Sequence, residues 1–556
     1  MTSAQQQSYY DLGSYHRPIN TQVPTAQKWF DQGLIWSYGF NHREAARCFE
    51  AAVTDDARCV MAYWGIAFAC GPNYNKPWEL FDSDDLKGSL DKIHKAVEQA
   101  EACSATPLEQ ALIKAIKVRS PRNASEKNYA ACNDAYAEAM KSVYHSFPED
   151  LDVATLYADA LMNRCAWNLW DLHTGQPTPH ARTLEVKEVL ERALDSGGLQ
   201  HPGILHMYIH LMEMSPTPEA AIPAANCLRD NLVPDSGHLH HMPSHLDVLV
   251  GDWQSSITAN TAATRADEKY RLAHPSNTTD FYTFYRLHDY HSLIYAAMFA
   301  GRRSVALDAV ERMERSVPES LLRIESPPMA DWLETFLTVR VHVLIRFGRW
   351  DDIIALPLPA DQALYCMTTA MLHYAKGIAF AASARVAEAE TQRELFRAAA
   401  KRVPPSRMDF PNKCVDVLAV AAEMLDGELE YRRGNFETAF KKLEDGIARE
   451  DALVYSEPPA WMQPIRHALG ALSLEQGNVE RAEAAYKADL GLSDALPRAR
   501  QHPRNIWALH GYRECLVRLG REEETRAIGK QLEEVSAGAD IKVEASCFCR
   551  GGRIVL

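Results

Sequence analysis

Small residues alternate with aromatic ones at fixed offsets in several stretches of this 556-residue chain, and that spacing leaves few folds open. In one stretch Gly33 is followed by Trp36, Ala45, Phe49 and Ala52. In a second the pattern runs through Gly427, Gly434, Ala439, Leu443 and Gly446, and in a third through Gly470, Gly477, Ala482 and Tyr486. A further copy opens at Trp507 and Gly511, with its Gly520 two positions late. Small residues let two helix backbones approach closely, and an aromatic ring fills the gap between them. Between these anchors apolar residues recur every three or four positions, alanine is frequent and long Val/Ile/Thr alternations are missing, which is the period of helices. A chain of this length exceeds one compact core, so a repetitive array or several domains is expected.

These stretches resemble the tetratricopeptide repeat, a helix-turn-helix unit of roughly 34 residues. The resemblance implies an all-α solenoid of helical hairpins, either open or closed around a central histidine-lined cavity. Residues 1–24 are polar, with Pro18 and Pro24, and are expected to form a loosely ordered leader. Residues 25–195 are read as N-terminal repeats, 196–315 as histidine-rich repeats, and 316–556 as C-terminal repeats with a short tail. Proline-bearing turns at Ser120-Pro121-Arg122-Asn123, Ser326-Pro327-Pro328 and Val403-Pro404-Pro405 punctuate the array.

Several function classes are excluded. No apolar run reaches the roughly 18 residues of a membrane span, and Met1-Thr2-Ser3-Ala4-Gln5-Gln6-Gln7 lacks a basic segment followed by an apolar one. A cytoplasmic protein is expected. The formal charge of −15 argues against nucleic acid and anionic membrane as partners. Twelve dispersed cysteines, none in a CxxC pair, suit reduced buried thiols, and Cys547-Phe548-Cys549 is the one close pair. Phosphate-cradling glycine motifs, a Gly-x-Ser-x-Gly elbow and a His-Glu-x-x-His helix are all missing, so no nucleotide cofactor is expected.

Ten of the 21 histidines fall between His201 and His291. Side chains three, four or seven positions apart share one face of a helix. His206, His210 and Glu213 make one such face, His238, His241 and His245 a second, and His288 with His291 a third pair. The turn Gly251-Asp252-Trp253 ends the helix that carries His238, His241 and His245. Gly301-Arg302-Arg303 ends the one that carries His288 and His291. Counted back from the two glycines, His241 and His291 stand at equal depth, as do His238 and His288. In a tetratricopeptide array the first helices of successive repeats lie side by side, so equivalent positions should converge. Pro243 should kink or start a helix, and if it starts one, His238 lies in the preceding turn. His240 is expected to be exposed, and His42 to be a loop hydrogen-bonder with a lesser claim to a ligand role.

The chain also resembles a narrower group, tetratricopeptide-domain proteins of bacteria and fungi with a His-x-x-His-Met-Pro-Ser/Ala-His signature. The matching residues include Phe40-Asn41-His42, Tyr63-Trp64-Gly65, Gly71-Pro72-Asn73, His201-Pro202-Gly203, Tyr208-Ile209-His210, Gly237-His238-Leu239 and His241-Met242-Pro243-Ser244-His245. The match runs from about residue 25 to Pro503-Arg504-Asn505 and beyond. Arg286-Leu287-His288-Asp289-Tyr290-His291 departs from the Tyr-x-His-Asn-x-x-His-like segment more usual in the group. Membership implies the fold and assigns no general reaction.

Imidazole clusters suit zinc, copper or non-haem iron, whereas magnesium and calcium prefer oxygen shells. Di-iron sites on helices draw on several glutamates, and only Glu213 is in register here. Copper and zinc are therefore favoured as cofactors. His206, His210, His238, His241, His245, His288 and His291 are the candidate ligands, Glu213 a candidate to orient an imidazole, and Tyr208 and Tyr285 candidates to line a substrate pocket with Trp64, Trp167, Tyr282 and Tyr290. Two readings follow. One is a metalloenzyme that oxidises a small organic molecule with dioxygen, zinc hydrolysis being its variant. The other is an interaction scaffold whose groove takes a peptide or protein and whose histidines are structural.

Overall fold

The computed structural model describes residues 8–275 and 281–550. Among them the chain is all-α, built from helical hairpins. Its one strand pair is the two-residue ladder Met408–Asp409 with Asn412–Lys413. No helix among the described residues is long and apolar enough to cross a membrane. The chain divides into two compact units. The first comprises the residues up to Leu246 together with Thr261–Arg286, and the second Asp247–Asn260 with Leu287 onward. The histidine-rich stretch expected as one block of repeats, 196–315, is thus shared between the units.

In the first unit, Pro24–Tyr38 pairs with His42–Asp55, Val60–Ala69 with Ser83–Glu101, Leu151–Met162 with Thr183–Asp195, and Pro202–Met212 follows. Every residue of Val60–Ala69 is buried, whereas Ser83–Glu101 buries only one apolar stripe, Leu86, Leu90, Ile93, Ala96, Val97 and Ala100. The difference follows from composition: an all-apolar helix must be enclosed, and an amphipathic one closes the outside. The anticipated small-to-aromatic contacts are present. A Cβ at Gly33 or Gly65 would lie within 2.7 Å or 2.4 Å of Phe49, so that ring is clasped by glycines from two helices.

In the second unit, Cys366–Ala382 pairs with Val386–Ala400, Cys414–Arg432 with Phe436–Asp451, Ile465–Glu475 with Val479–Asp489, and Ile506–Arg518 with Glu522–Ser536. Tyr486 stands between Gly470 and Gly511 in the same way. The turn glycines Gly251 and Gly301 end their helices at φ +76° and +67°, a backbone conformation that side chains with a Cβ rarely adopt.

Part of the expected leader, residues 1–7, lies outside the described residues. The rest differs from expectation. Residues 8–23 form no helix, yet they are anchored: Arg17 pairs with Asp150 and Asp152, Tyr15 donates to Asp152 at 2.7 Å, Thr21 donates to Asp56 at 2.6 Å, and Leu12 is buried. Asp152 takes two of these contacts, and it also accepts from Tyr38 and His201. Burial alone would raise its pKa, but Arg17 and His201 hold the carboxyl well below the usual carboxylate range. The cysteines also differ at one point: Cys547 and Cys549 are joined as a disulfide, while the other ten are free thiols as expected.

Candidate metal centre

The helix Pro202–Met212 starts where it does because His201 caps it. His201 Nδ1 accepts from the Ile204 N–H at 3.2 Å, its Nε2–H donates to Asp152, and Pro202 occupies the first position, where no backbone donor is needed. Gly203 lets this helix press against Tyr38 and Thr155, since a Cβ there would meet both at 2.7 Å. That approach sets the carbonyl of Tyr38 2.6 Å from His206 Nδ1. A carbonyl can only accept, so Nδ1 carries the proton and Nε2 presents its lone pair.

One turn later His210 Nδ1 donates to Glu213 Oε1 at 2.9 Å, and His245 Nδ1 donates to the other oxygen of the same carboxylate. Glu213 is completely buried. It stands at the C-terminal end of its helix, where the macrodipole disfavours negative charge, and the two imidazole N–H groups offset that penalty. Both imidazoles are thereby held with Nε2 turned away from the carboxylate, as a metal-oriented histidine requires.

Pro243 starts a helix, Pro243–Val250, so His238 and His241 belong to the short preceding helix Gly237–His241. His238 nevertheless joins the group: its ring centre lies 4.9 Å from that of His206 and 6.2 Å from that of His210. One ligand atom each from His206, His210 and His238 fall within 4.8 Å of one another, and so do atoms of His210, Glu213 and His245. His241 Nε2 approaches His245 Nε2 to 2.7 Å, and its Nδ1 faces Ser244 Oγ at 3.3 Å. Burial, and then neighbouring His210, push the His206 pKa well below its ordinary value, so this imidazole is neutral at neutral pH. Its buried Nε2 meets no hydrogen-bonding group among the described residues.

Aromatic rings enclose these imidazoles. Phe40 lies 4.4 Å from His206 and 5.3 Å from His238, Tyr74 lies 5.0 Å from His210, Trp167 lies 6.0 Å from His210, and Tyr285 lies 4.8 Å from His238. Phe40 and Trp167 reach the site through left-handed backbone, at φ +56° and +60°. A residue with a Cβ holds that conformation at a cost of roughly 1–3 kcal/mol, and such strain tends to collect at functional sites.

Tyr208, His240 and His42 lie elsewhere. Tyr208, two positions from both His206 and His210, faces the opposite side of its helix, where its hydroxyl donates to Glu191 at 3.0 Å, so it does not line the centre. His240, expected to be exposed, is buried, with Nε2 donating to the Pro234 carbonyl at 2.9 Å. His42 opens the helix His42–Asp55 and packs beside Phe68. Burial, and then Arg119 and Lys76, lower its pKa to about 3, and it belongs to none of the ligand groups. His288 and His291 belong to the second unit, where His291 is buried against Phe336.

No family model matches the chain, and no curated protein matches it. Two solved structures are similar over most of its length. Yeast Tom70 covers 92% of this chain and 93% of its own, at 11% identity and a TM-score of 0.28. Naa15/Naa10 bound to HypK-THB covers 92% of this chain and 70% of its own, at 12% identity and a TM-score of 0.21. Likeness at these scores carries nothing about activity.

Phe40, Tyr74 and Asn73, which accepts from the Tyr285 hydroxyl at 3.3 Å, were not sequence candidates for the centre. Phe40 and Asn73 do stand in the stretches that carry the family resemblance, and that was the available signal.

Proposed function

We propose that the first unit binds a transition metal ion through His206, His210 and His238, with Glu213 orienting His210 and with His245 and His241 beside them. One observation carries this reading: three buried imidazoles converge, and two of them, His206 and His210, have Nδ1 tied to an acceptor, which puts the ring proton on Nδ1 and the lone pair on Nε2. Both Glu213 oxygens already accept from histidine, so the donor set is nitrogen and suits copper, zinc or iron without carboxylate bridging. Copper or iron would supply oxidation chemistry with dioxygen on a small organic molecule. Zinc would supply hydrolysis.

The test is elemental analysis of untagged full-length protein after loading with zinc or copper and gel filtration. The native chain is expected to retain stoichiometric metal. His206→Ala/His210→Ala should lose at least about two orders of magnitude in affinity, more than loss of an orienting group causes. Changing the exposed His145 to Ala should have no effect. Equal metal in all three, or none in the native chain, would refute the assignment.

The second reading, a docking protein, is favoured by the helical-hairpin fold and by a separate observation in the second unit, where the non-helical C-terminal segment lies across the helices. The two readings use different parts of the chain and do not compete.

A further inference from the structure

After the helix Glu522–Ser536 the chain turns back, and residues 545–550 settle against the first helices of successive hairpins in the second unit. The Ser546 hydroxyl donates to the His467 carbonyl at 2.9 Å and lies 2.6 Å from the Tyr486 hydroxyl, which reaches it between Gly470 and Gly511. Arg346 donates to the Ser546 carbonyl at 3.1 Å, and Arg432 donates to that of Cys549. Phe548 fills the notch over Gly348, where a Cβ would come within 2.9 Å of it, and its ring lies 5.9 Å from that of Trp507. Arg550 forms a two-pronged pair with Glu514 at 2.7 and 3.1 Å. A turn, with the Arg550 N–H bonded to the Cys547 carbonyl at 3.2 Å, presents these groups together.

The receiving face is not an ordinary apolar core. It carries Arg346 and Glu514, both almost completely buried with the segment in place, and Arg432 beside them. Arg346 Nε has no partner among the described residues, and the cavity beside the segment is about 20 Å³, room for roughly one water. Charges of both signs that the segment covers, and that bond to its main-chain carbonyls and its guanidinium, make a surface for recognising a peptide.

We infer that this face is a peptide-docking site occupied in the isolated chain by its own residues 545–550. The partner it fits is a short segment with a hydroxyl residue, an aromatic two positions later and an arginine two positions after that. The aromatic enters the Gly348–Trp507 notch and the arginine pairs with Glu514. The inference rests on the docking reading and is independent of the metal.

The experiment uses the full chain with a protease site inserted beside Lys542, whose side chain is 85% exposed, so that the protein folds intact before it is cut. A labelled peptide of residues 545–550 is then added, alongside an array of unrelated hexapeptides. The cut protein is expected to bind the labelled peptide at least about tenfold more tightly than the uncut protein, and replacing its phenylalanine or its arginine by Ala should weaken binding roughly tenfold or more. Glu514→Gln should remove the dependence on that arginine. Binding of unrelated peptides equal to that of the native sequence would overturn the recognition chemistry and leave docking standing. No labelled peptide bound by the cut protein would overturn both.

Discussion

Glu213→Ala is expected to destabilise the first unit by roughly 2–6 kcal/mol, because it strips the acceptor from two buried imidazole N–H groups and each orphaned donor costs about 1–3 kcal/mol. The carboxylate is completely buried and bridges His210 and His245 from two different helices. Glu213→Gln keeps an acceptor on one side only and should fall between native and Ala. Chemical denaturation of metal-free protein measures this, and the exposed Glu188→Ala is the control, expected to stay within about 0.5 kcal/mol of native. Metal affinity should fall as well, by roughly 10- to 100-fold in the Gln variant, since both rings lose their orientation while the ligands remain. A Glu213→Ala protein as stable as native would show that the carboxylate does not hold these rings.

Acid should withdraw the stability that two buried histidines of the second unit allow, while the buried carboxyls Asp409 and Glu450, raised to about 7 and about 8, act in the opposite sense. Burial, and then neighbouring His342, lower the His291 pKa to about 3. Burial, and then Arg346, lower that of His342 to about 4. In the unfolded chain both titrate near 6.5. The folded values are the lower ones, so the unfolded state binds more protons between them. The stability these residues allow is complete above about pH 6.5 and is lost as the pH falls towards the folded values. The slope is about 1.4 kcal/mol per pH unit for each histidine, so from pH 7 to pH 5 the pair removes roughly 4 kcal/mol. That is a large part of the 5–15 kcal/mol typical of a domain. Asp489 acts in a separate window. Burial would raise its pKa, but His467 and His502 hold it far below the usual range, so its contribution is full above about pH 4 and fades only below it. Urea midpoints at pH 7, 6 and 5 test the point. The account expects the native midpoint to drop relative to that of His342→Gln by the equivalent of about 2 kcal/mol between pH 7 and pH 5, and parallel profiles would contradict it.

The hairpins were readable from sequence because their packing rule is local: a glycine on one helix, an aromatic on the next, and a left-handed glycine to end the turn. Gly33 with Phe49, Gly470 with Tyr486, and the turns at Gly251 and Gly301 follow it directly. The shared face of His206, His210 and Glu213 was readable for the same reason, since helical period alone fixes it. The misread features depend on where distant chain goes. His240 turns inward because the Pro234 carbonyl is there to receive it. Residues 8–23 are held largely by Asp150 and Asp152, more than a hundred positions later. Phe40 and Trp167 reach the histidines through backbone conformations that residue type disfavours, so propensity argued against the very geometry that places them.

The most direct test of the metal centre is X-ray absorption at the metal edge on full-length protein loaded with zinc or copper. The account predicts a nitrogen shell at about 2.0–2.1 Å with the outer-shell scattering of at least three imidazoles, reduced in His206→Ala/His238→Ala while circular dichroism shows the helices intact. A shell of oxygen or sulfur alone, or one unchanged in that variant, would contradict it.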